Sequence, residues 1–151
     1  MDKKIGNSYV KTVATVTANS TVAEAAELMR RHHVGALVMV DDANGSRKPL
    51  GMVTDRDIAI EVVAAGLVPQ TIKVGEIVQR PITTVTEDAG WAETVRLMSV
   101  NGVRRLPVVD AAGGLVGIIS FDDLLLQLAG PLVAMADLAG RERHFEATTR
   151  G

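Results

Sequence analysis

The sequence predicts a mixed α/β (α+β) protein made of two tandem copies of one strand–helix–strand–strand–helix unit, followed by a C-terminal helix. Three observations predict it. The first is an internal repeat: the segment Lys4 to Asp41 recurs from Lys73 to Asp110, with thirteen of the 38 aligned positions identical. After a slip of three residues the match resumes, GMVTDRDI (Gly51–Ile58) against GIISFDDL (Gly117–Leu124). A repeat of this length means two supersecondary units packed on each other. The second is that each copy alternates short β-branched or apolar runs with windows of helical period. The third is composition: hydrophobic residues make up 47% and aromatics 3%, so the core is built from Val, Leu, Ile, Ala and Met.

In the first copy, Val13–Thr17 is a short β-branched run and reads as a strand. Ser20 or Thr21 then caps a helix reaching to about His33, with Val22, Ala25, Ala26 and Met29 on its apolar face. Ala36–Val40 is a continuous apolar run, as a strand covered on both faces requires. Asn44-Gly45 marks a turn, and Leu50–Val53 is the next strand. A second helix starts at Thr54 and carries Ile58, Ala59, Val62 and Val63 on one face before Gly66.

The second copy repeats the order. Strand Ile82–Thr86 leads to helix Trp91–Val100, ended by Asn101-Gly102 with glycine at the left-handed stop. Strand Leu106–Asp110, the turn Ala111–Gly114 and strand Leu115–Ile119 follow. Helix Phe121–Leu128 closes the unit before Gly130-Pro131. From Pro131 to about Phe145 a further helix is expected, with an apolar stripe of Leu132, Met135, Leu138 and Ala139 that needs a partner. The first unit thus covers 4–66. A packed connector and the start of the second unit cover 67–80, the rest of that unit 81–130, and the helix and polar tail 131–151.

Bulk properties exclude several functions. With 16 basic and 18 acidic residues the net charge is −2, which disfavours nucleic-acid binding by phosphate neutralisation. Cysteine is absent, so disulfide and thiolate chemistry is excluded. The polar start Met1–Asn7 has no apolar h-region after it, and no apolar run approaches the roughly 20 residues of a membrane span. A cytoplasmic protein without membrane contact is the expectation.

The most specific local pattern is Gly–apolar–apolar–hydroxyl–x–x–Asp. It occurs as Gly51-Met52-Val53-Thr54-Asp55-Arg56-Asp57 and again as Gly117-Ile118-Ile119-Ser120-Phe121-Asp122-Asp123. Each copy sits where a strand becomes a helix. One reading is a cap: Thr54 or Ser120 caps the first turn and the acid three residues on completes a capping-box variant. The other uses the same geometry for a ligand. A hydroxyl and free N–H groups at a helix start suit a phosphate-sized anion, and the carboxylate one turn on suits the two hydroxyls of a ribose. On this reading Gly51 and Gly117 let a ligand lie against the backbone. A second feature is Arg104-Arg105, within Val103-Arg104-Arg105-Leu106-Pro107, either a solvated charge pair or a bidentate phosphate contact. Its counterparts in the first copy are the uncharged Gly35 and Ala36, so the two clefts differ chemically.

With the tandem repeat, the doubled Gly–x–x–Thr/Ser–x–x–Asp ending, and the phrases HVGALVMVDD, GMVTDRDI and GVRRLPVVD, the chain from about Val10 to Leu128 resembles the CBS-domain (cystathionine β-synthase domain) proteins. It looks like the small stand-alone bacterial type made of one CBS pair, or Bateman module. The resemblance implies a βαββα fold per motif and two motifs packed with pseudo-twofold symmetry. It also implies clefts for adenosine-containing ligands: AMP, ADP, ATP or S-adenosylmethionine. Carried over, Asp57 and Asp123 would hold ribose, and Thr54 and Ser120 would contact phosphate. Apolar walls would come from Thr15, Val16, Val34, Gly35, Ala36 and Met52 in one copy, and from Thr84, Val85, Val103 to Leu106 (with Arg104 and Arg105) and Ile118 in the other. The ligand would be regulatory, with no cofactor required. A homodimer is implied, and a protein partner is compatible with it.

No catalytic constellation is present: there is no nucleophile–base pair, Gly-x-Gly-x-x-Gly or Walker loop. His32-His33 ends a helix, where it complements the dipole and makes a poor metal pair. His144 lies in a charged tail, the pair Asp122-Asp123 lacks a partner at metal spacing, and Trp91 reads as core or interface. The expectation is therefore a non-catalytic ligand sensor. The rival is a structural or protein-interaction module with degenerate clefts.

Overall fold

The structure, a computed structural model, describes residues 4–6 and 8–149, without the side chains of 44 and 139–149. His144 and the Ala139 end of the tail stripe have their side chains outside these described residues, as do positions 1–3 and 7 of the polar start.

Strand β1 (Thr15–Val16) leads to helix α1 (Val22–His32), strand β2 (Ala36–Asp41), a 3-10 turn at Ala43–Gly45 and strand β3 (Lys48–Thr54). Of the two candidate caps, Thr21 serves: its hydroxyl accepts the Glu24 N–H and the Glu24 carboxylate accepts the Thr21 N–H. Helix α2 opens as an α turn, Asp55–Asp57, and continues as a π-helix, Ile58–Val63. This departs from the regular helix expected. Four of those six residues are β-branched, the type an α ladder crowds. With i→i+5 pairing more residues fit in each turn, so Val62 is buried while Ala59 and Val63 turn to solvent.

A short helix α3 (Val74–Ile77) precedes the second copy: β4 (Val85–Thr86), α4 (Trp91–Asn101), β5 (Arg105–Val109) and β6 (Leu115–Ser120). Helix α4 ends at Gly102, φ 63, and α1 at His33, φ 53, in the same left-handed place. The last helix, α5, runs unbroken from Phe121 to Thr149 with Pro131 inside it. This corrects the break expected at Gly130-Pro131. A proline clashes with the Cβ of the residue before it in a helix, and Gly130 has none, so the ladder continues at the loss of one hydrogen bond. No helix among the described residues is long and apolar enough to cross a membrane.

The strands form two three-stranded sheets, β1-β2-β3 and β4-β5-β6. In each the first pair is parallel and the second antiparallel, with a register shift at Met39/Val40 and at the equivalent Val108/Val109. Alternation along β2 sends Leu37 and Met39 to the helix side, with Val16, Ala25, Met29 and Val53. It sends Val38 and Val40 to the sheet–sheet side, with Leu115, Met52 and Ile118. Both faces of β2 are covered from Ala36 to Val40, which is why that run is apolar, and only the exposed end, Asp41, is charged.

The two copies exchange their leading segments. Val74, fully buried, completes the first copy's core, and Ile5, its repeat equivalent and also fully buried, completes the second's among Val85, Ala89, Met98 and Leu106. The exchange is symmetric in its backbone bonds: Val74 N–H donates to the Ser20 carbonyl at 2.8 Å, and Ile5 N–H to the Ala89 carbonyl at 3.1 Å. The bridges Thr21 to Lys73 and Lys4 to Gly90 repeat the pattern. Pseudo-twofold packing thus ties each unit to the other's chain.

Candidate functional site

The hydroxyl–x–x–Asp turns are built alike. β3 stays extended through Thr54 (φ −113, ψ 161), which turns its N–H and hydroxyl toward the first turn of α2. Oδ2 of Asp57 accepts the Thr54 N–H at 2.9 Å and the Thr54 O–H at 2.8 Å, and Thr54 Oγ1 accepts the Asp57 N–H at 3.1 Å. In the second copy, Oδ2 of Asp123 accepts Ser120 N–H at 2.8 Å and Ser120 O–H at 2.6 Å, and Ser120 Oγ accepts the Asp123 N–H at 3.1 Å. The capping reading is therefore realised in both places. It uses one oxygen of each carboxylate. Among the described residues no hydrogen bond reaches Oδ1 of Asp57 or Asp123, so the cap leaves that oxygen available.

A pocket of about 480 Å³ opens beside Asp57. Met52, Asp57 and Glu61 form one wall; Leu67, Ile72 and the run Glu76 to Arg80 form the rest. The size lies in the range of small-molecule sites. Of the residues singled out from sequence, it gathers Met52 and Asp57. The opposite wall comes from 67–80, the stretch that the sequence reads as a packed connector and the start of the second unit. Its signal was in the repeat: Lys73 opens the second copy, so 73–80 is that copy's leading segment, and leading segments are the parts exchanged.

The other candidates are placed differently. Val16, Ala36 and Val85 are closed off in the core and stand behind the clefts. Thr15, Thr84, Val103 and Ile118 are half-buried, Gly35 likewise, and Val34 is exposed. A side chain at Gly35 would press on the Asp55 carboxylate, its Cβ 3.0 Å from Oδ2. Arg104 and Arg105 are exposed, and Arg104 pairs with Asp122 at 3.1 Å. That surface ion pair is worth little in stability, but it occupies one of the two guanidinium groups.

Gly51 and Gly117 do not serve a ligand as expected. A Cβ on Gly51 would collide with the Val78 side chain, and one on Gly117 with the Tyr9 ring. Val78 and Tyr9 are repeat equivalents in the exchanged segments, so each glycine admits the other copy's chain. In the second copy the approach is closer still: Val10 pairs with Ile118 through bonds of 2.9 and 3.0 Å. Burial, and then the Glu87 carboxylate 3.4 Å away, push the Tyr9 phenol up from its ordinary value. Among the described residues no group of three or more His, Asp or Glu converges as a metal site.

The sequence matches the family model of the CBS domain twice, over residues 8–64 and 74–130. CBS domain-containing protein YhcV of Bacillus subtilis is 41% identical over 112 residues, 74% of this chain and 76% of that protein. An uncharacterised protein of Methanopyrus kandleri is 37% identical over 121 residues, 80% of this chain and 60% of that protein's length. Among solved structures, Hypoxic Response Protein I with two coordinated zinc ions superposes with a TM-score of 0.71 at 35% identity, covering 82% of this chain and 97% of that one. The CBS domain pair of protein MJ0100, in complex with 5′-methylthioadenosine and S-adenosyl-L-methionine, gives 0.74 at 26% identity, covering 87% and 99%.

Proposed function

The chain belongs to the CBS domain family, and on that premise we propose that it is a non-catalytic regulatory module that holds an adenosine-containing ligand in the pocket beside Asp57. The observation that carries this reading is the meeting of the motif carboxylate with a concave wall from the other copy that mixes apolar and polar side chains. Met52, Ile72, Ile77 and Val78 suit the faces of an adenine ring. Oδ1 of Asp57, left open by the cap, suits a pair of ribose hydroxyls. The bound adenosine compounds of the MJ0100 pair support the ligand class, within which AMP, ADP, ATP and S-adenosylmethionine are the candidates. The ligand regulates; no cofactor is required.

The action would be linkage. Because the pocket walls come from both copies, a ligand that prefers one packing of the copies shifts their equilibrium by its differential affinity. A homodimer reads that shift, and a protein partner is a further candidate. Support for the dimer comes from α5, where Phe121, Leu125, Leu128, Leu132 and Met135 recur at steps of four and three residues and are all exposed. That 3.5-residue spacing forms a seam for a second helix. A cytoplasmic location fits a cysteine-free sensor of such ligands.

Isothermal calorimetry and thermal shift with AMP, ADP, ATP and S-adenosylmethionine test the reading. Saturation at 100 times Kd adds about 2.7 kcal/mol of stability. No heat and no shift with any of them at millimolar concentration would overturn it.

A further inference from the structure

We infer that the pocket beside Asp57 selects adenosine ligands without phosphate, whose 5′ substituent is neutral or cationic, such as a thioether or a sulfonium. The inference rests on the adenosine-binding reading of that pocket and narrows it.

The lining carries three carboxylates, Asp57, Glu61 and Glu76, against one guanidinium, Arg80. Neither neighbouring bond removes that imbalance. Glu76 accepts the Lys73 backbone N–H at 2.6 Å, which is a cap and not an ion pair. Among the described residues the Asp57 carboxylate is bonded by Thr54 alone. Among the described residues no ion pair engages Glu61 or Arg80. A phosphate entering this space meets like charge within a Debye length, on a partly apolar floor where screening is weaker than in bulk water. Side-chain phosphate sites are built the other way, with forked guanidinium or ammonium donors, and the Thr54 hydroxyl and N–H at this helix start are already engaged by Asp57. A sulfonium or ammonium group gains from the same carboxylates.

The acidity belongs to this pocket and not to the repeat. At the positions of the second copy that match this lining, Glu61 is replaced by Gln127 and Glu76 by Asn7, while Arg80 keeps its charge as Lys11. One carboxylate, Asp123, remains there. The two copies thus differ in charge at the positions that line the pocket in the first. A difference in charge at the lining positions is what selection between differently charged ligands would leave.

Calorimetry with S-adenosylmethionine, 5′-methylthioadenosine, AMP and ATP on the full chain, its Asp57→Asn variant and the double variant Glu61→Gln/Glu76→Gln decides the matter. Glutamine at position 76 keeps an acceptor for the helix cap. The Asp57-dependent binding should be at least roughly tenfold tighter for the sulfonium and thioether compounds than for AMP, and weakest for ATP. The double variant should raise AMP affinity roughly tenfold and leave 5′-methylthioadenosine within about twofold. Asp57-dependent binding of AMP or ATP as tight as that of the thioether would overturn the inference and leave the adenosine reading standing. So would an unchanged AMP-to-thioether ratio in the double variant. Failure of all four compounds to bind would overturn the adenosine reading itself, and this inference with it.

Discussion

Replacing Asp57 by Asn separates the two duties that its carboxylate combines. Oδ2 holds the cap, taking the Thr54 N–H at 2.9 Å and O–H at 2.8 Å, while Oδ1 faces no partner among the described residues. An asparagine has one carbonyl oxygen to put in the Oδ2 place and an NH2 group to put at Oδ1. The cap then survives with a neutral acceptor. Charged acceptors make bonds roughly twice as strong as neutral ones, so the loss is about 1 kcal/mol or less, or about 2–4 °C in Tm for a chain of this size. On the pocket side an acceptor becomes a donor. A charge-assisted bond to a ribose hydroxyl is worth about 1.5–3 kcal/mol, so affinity should fall roughly 10- to 150-fold. Thr54→Ala is the mirror experiment. The Thr54 hydroxyl is already engaged as donor and acceptor by Asp57. Its removal should cost about 1 kcal/mol of stability and leave affinity for 5′-methylthioadenosine within about twofold. The assay is calorimetry paired with thermal melts on all three proteins. An Asp57→Asn protein that binds like wild type but melts lower would refute the reasoning, because the carboxylate would then be only a cap. Equal affinity losses in both variants would refute it too, since the turn geometry and not the free oxygen would then make the pocket.

The exchanged segments carry a second prediction: Ile5→Ala should cost about 2–5 kcal/mol and lower Tm by roughly 5–15 °C, although residue 5 lies far in sequence from the core it fills. Val74→Ala should cost less, having fewer carbons to lose. An Ile5→Ala protein melting within about 1 °C of wild type would mean the leading segment is not seated in solution. A third concerns pH. The Thr21 backbone N–H, then its hydroxyl, hold the Glu24 carboxyl below its ordinary value, with Lys73 adding to the effect. A depressed folded value means the stabilisation is present above the unfolded value and is lost as pH falls through the folded one. NMR titration of Glu24 should give a low midpoint that Thr21→Ala moves part of the way back, since the backbone donor stays. No movement would assign the shift elsewhere. Fourth, truncation after Gly130 should weaken the homodimer as read by light scattering; an unchanged dimer would remove α5 beyond that point from the interface, and a monomeric full chain would remove the dimer.

The repeat made most of the fold legible. Strand and helix order, the Thr21 cap, the left-handed stop at Gly102 and the hydroxyl–x–x–Asp turns all follow from local chemistry, and local chemistry is what a sequence displays. Three features did not. The π-helical stretch after Asp57 depends on crowding among Ile58, Ile60, Val62 and Val63 that periodicity cannot weigh. The unbroken α5 depends on Gly130 relieving Pro131, a pairwise effect that the usual weight given to proline overrides. The pocket wall from Leu67 to Arg80 depends on which copy the leading segments join. Nothing in either copy's sequence says that, because Ile5 and Val74 would suit either core equally well.

The exchange of leading segments joins the two clefts through the chain. If each unit kept its own leading segment, a ligand in one cleft would touch one unit only. Here the segment that ends in Val78, Gln79 and Arg80 lines the first pocket, is anchored in the first core by Val74, and then runs into β4 of the second sheet. The pocket wall is therefore joined through a few residues of chain to the other unit's sheet. The reverse path is narrower. Tyr9 and Val10 lie directly on Gly117 and Ile118, so the second copy's strand end is covered by a ring where the first has the smaller Val78. The two halves of a symmetric fold are thereby made unequal, one with an open acidic pocket and one with a covered, less acidic cleft. A coupling between the two sites would require a contact with two discrete arrangements that a ligand in the open pocket biases.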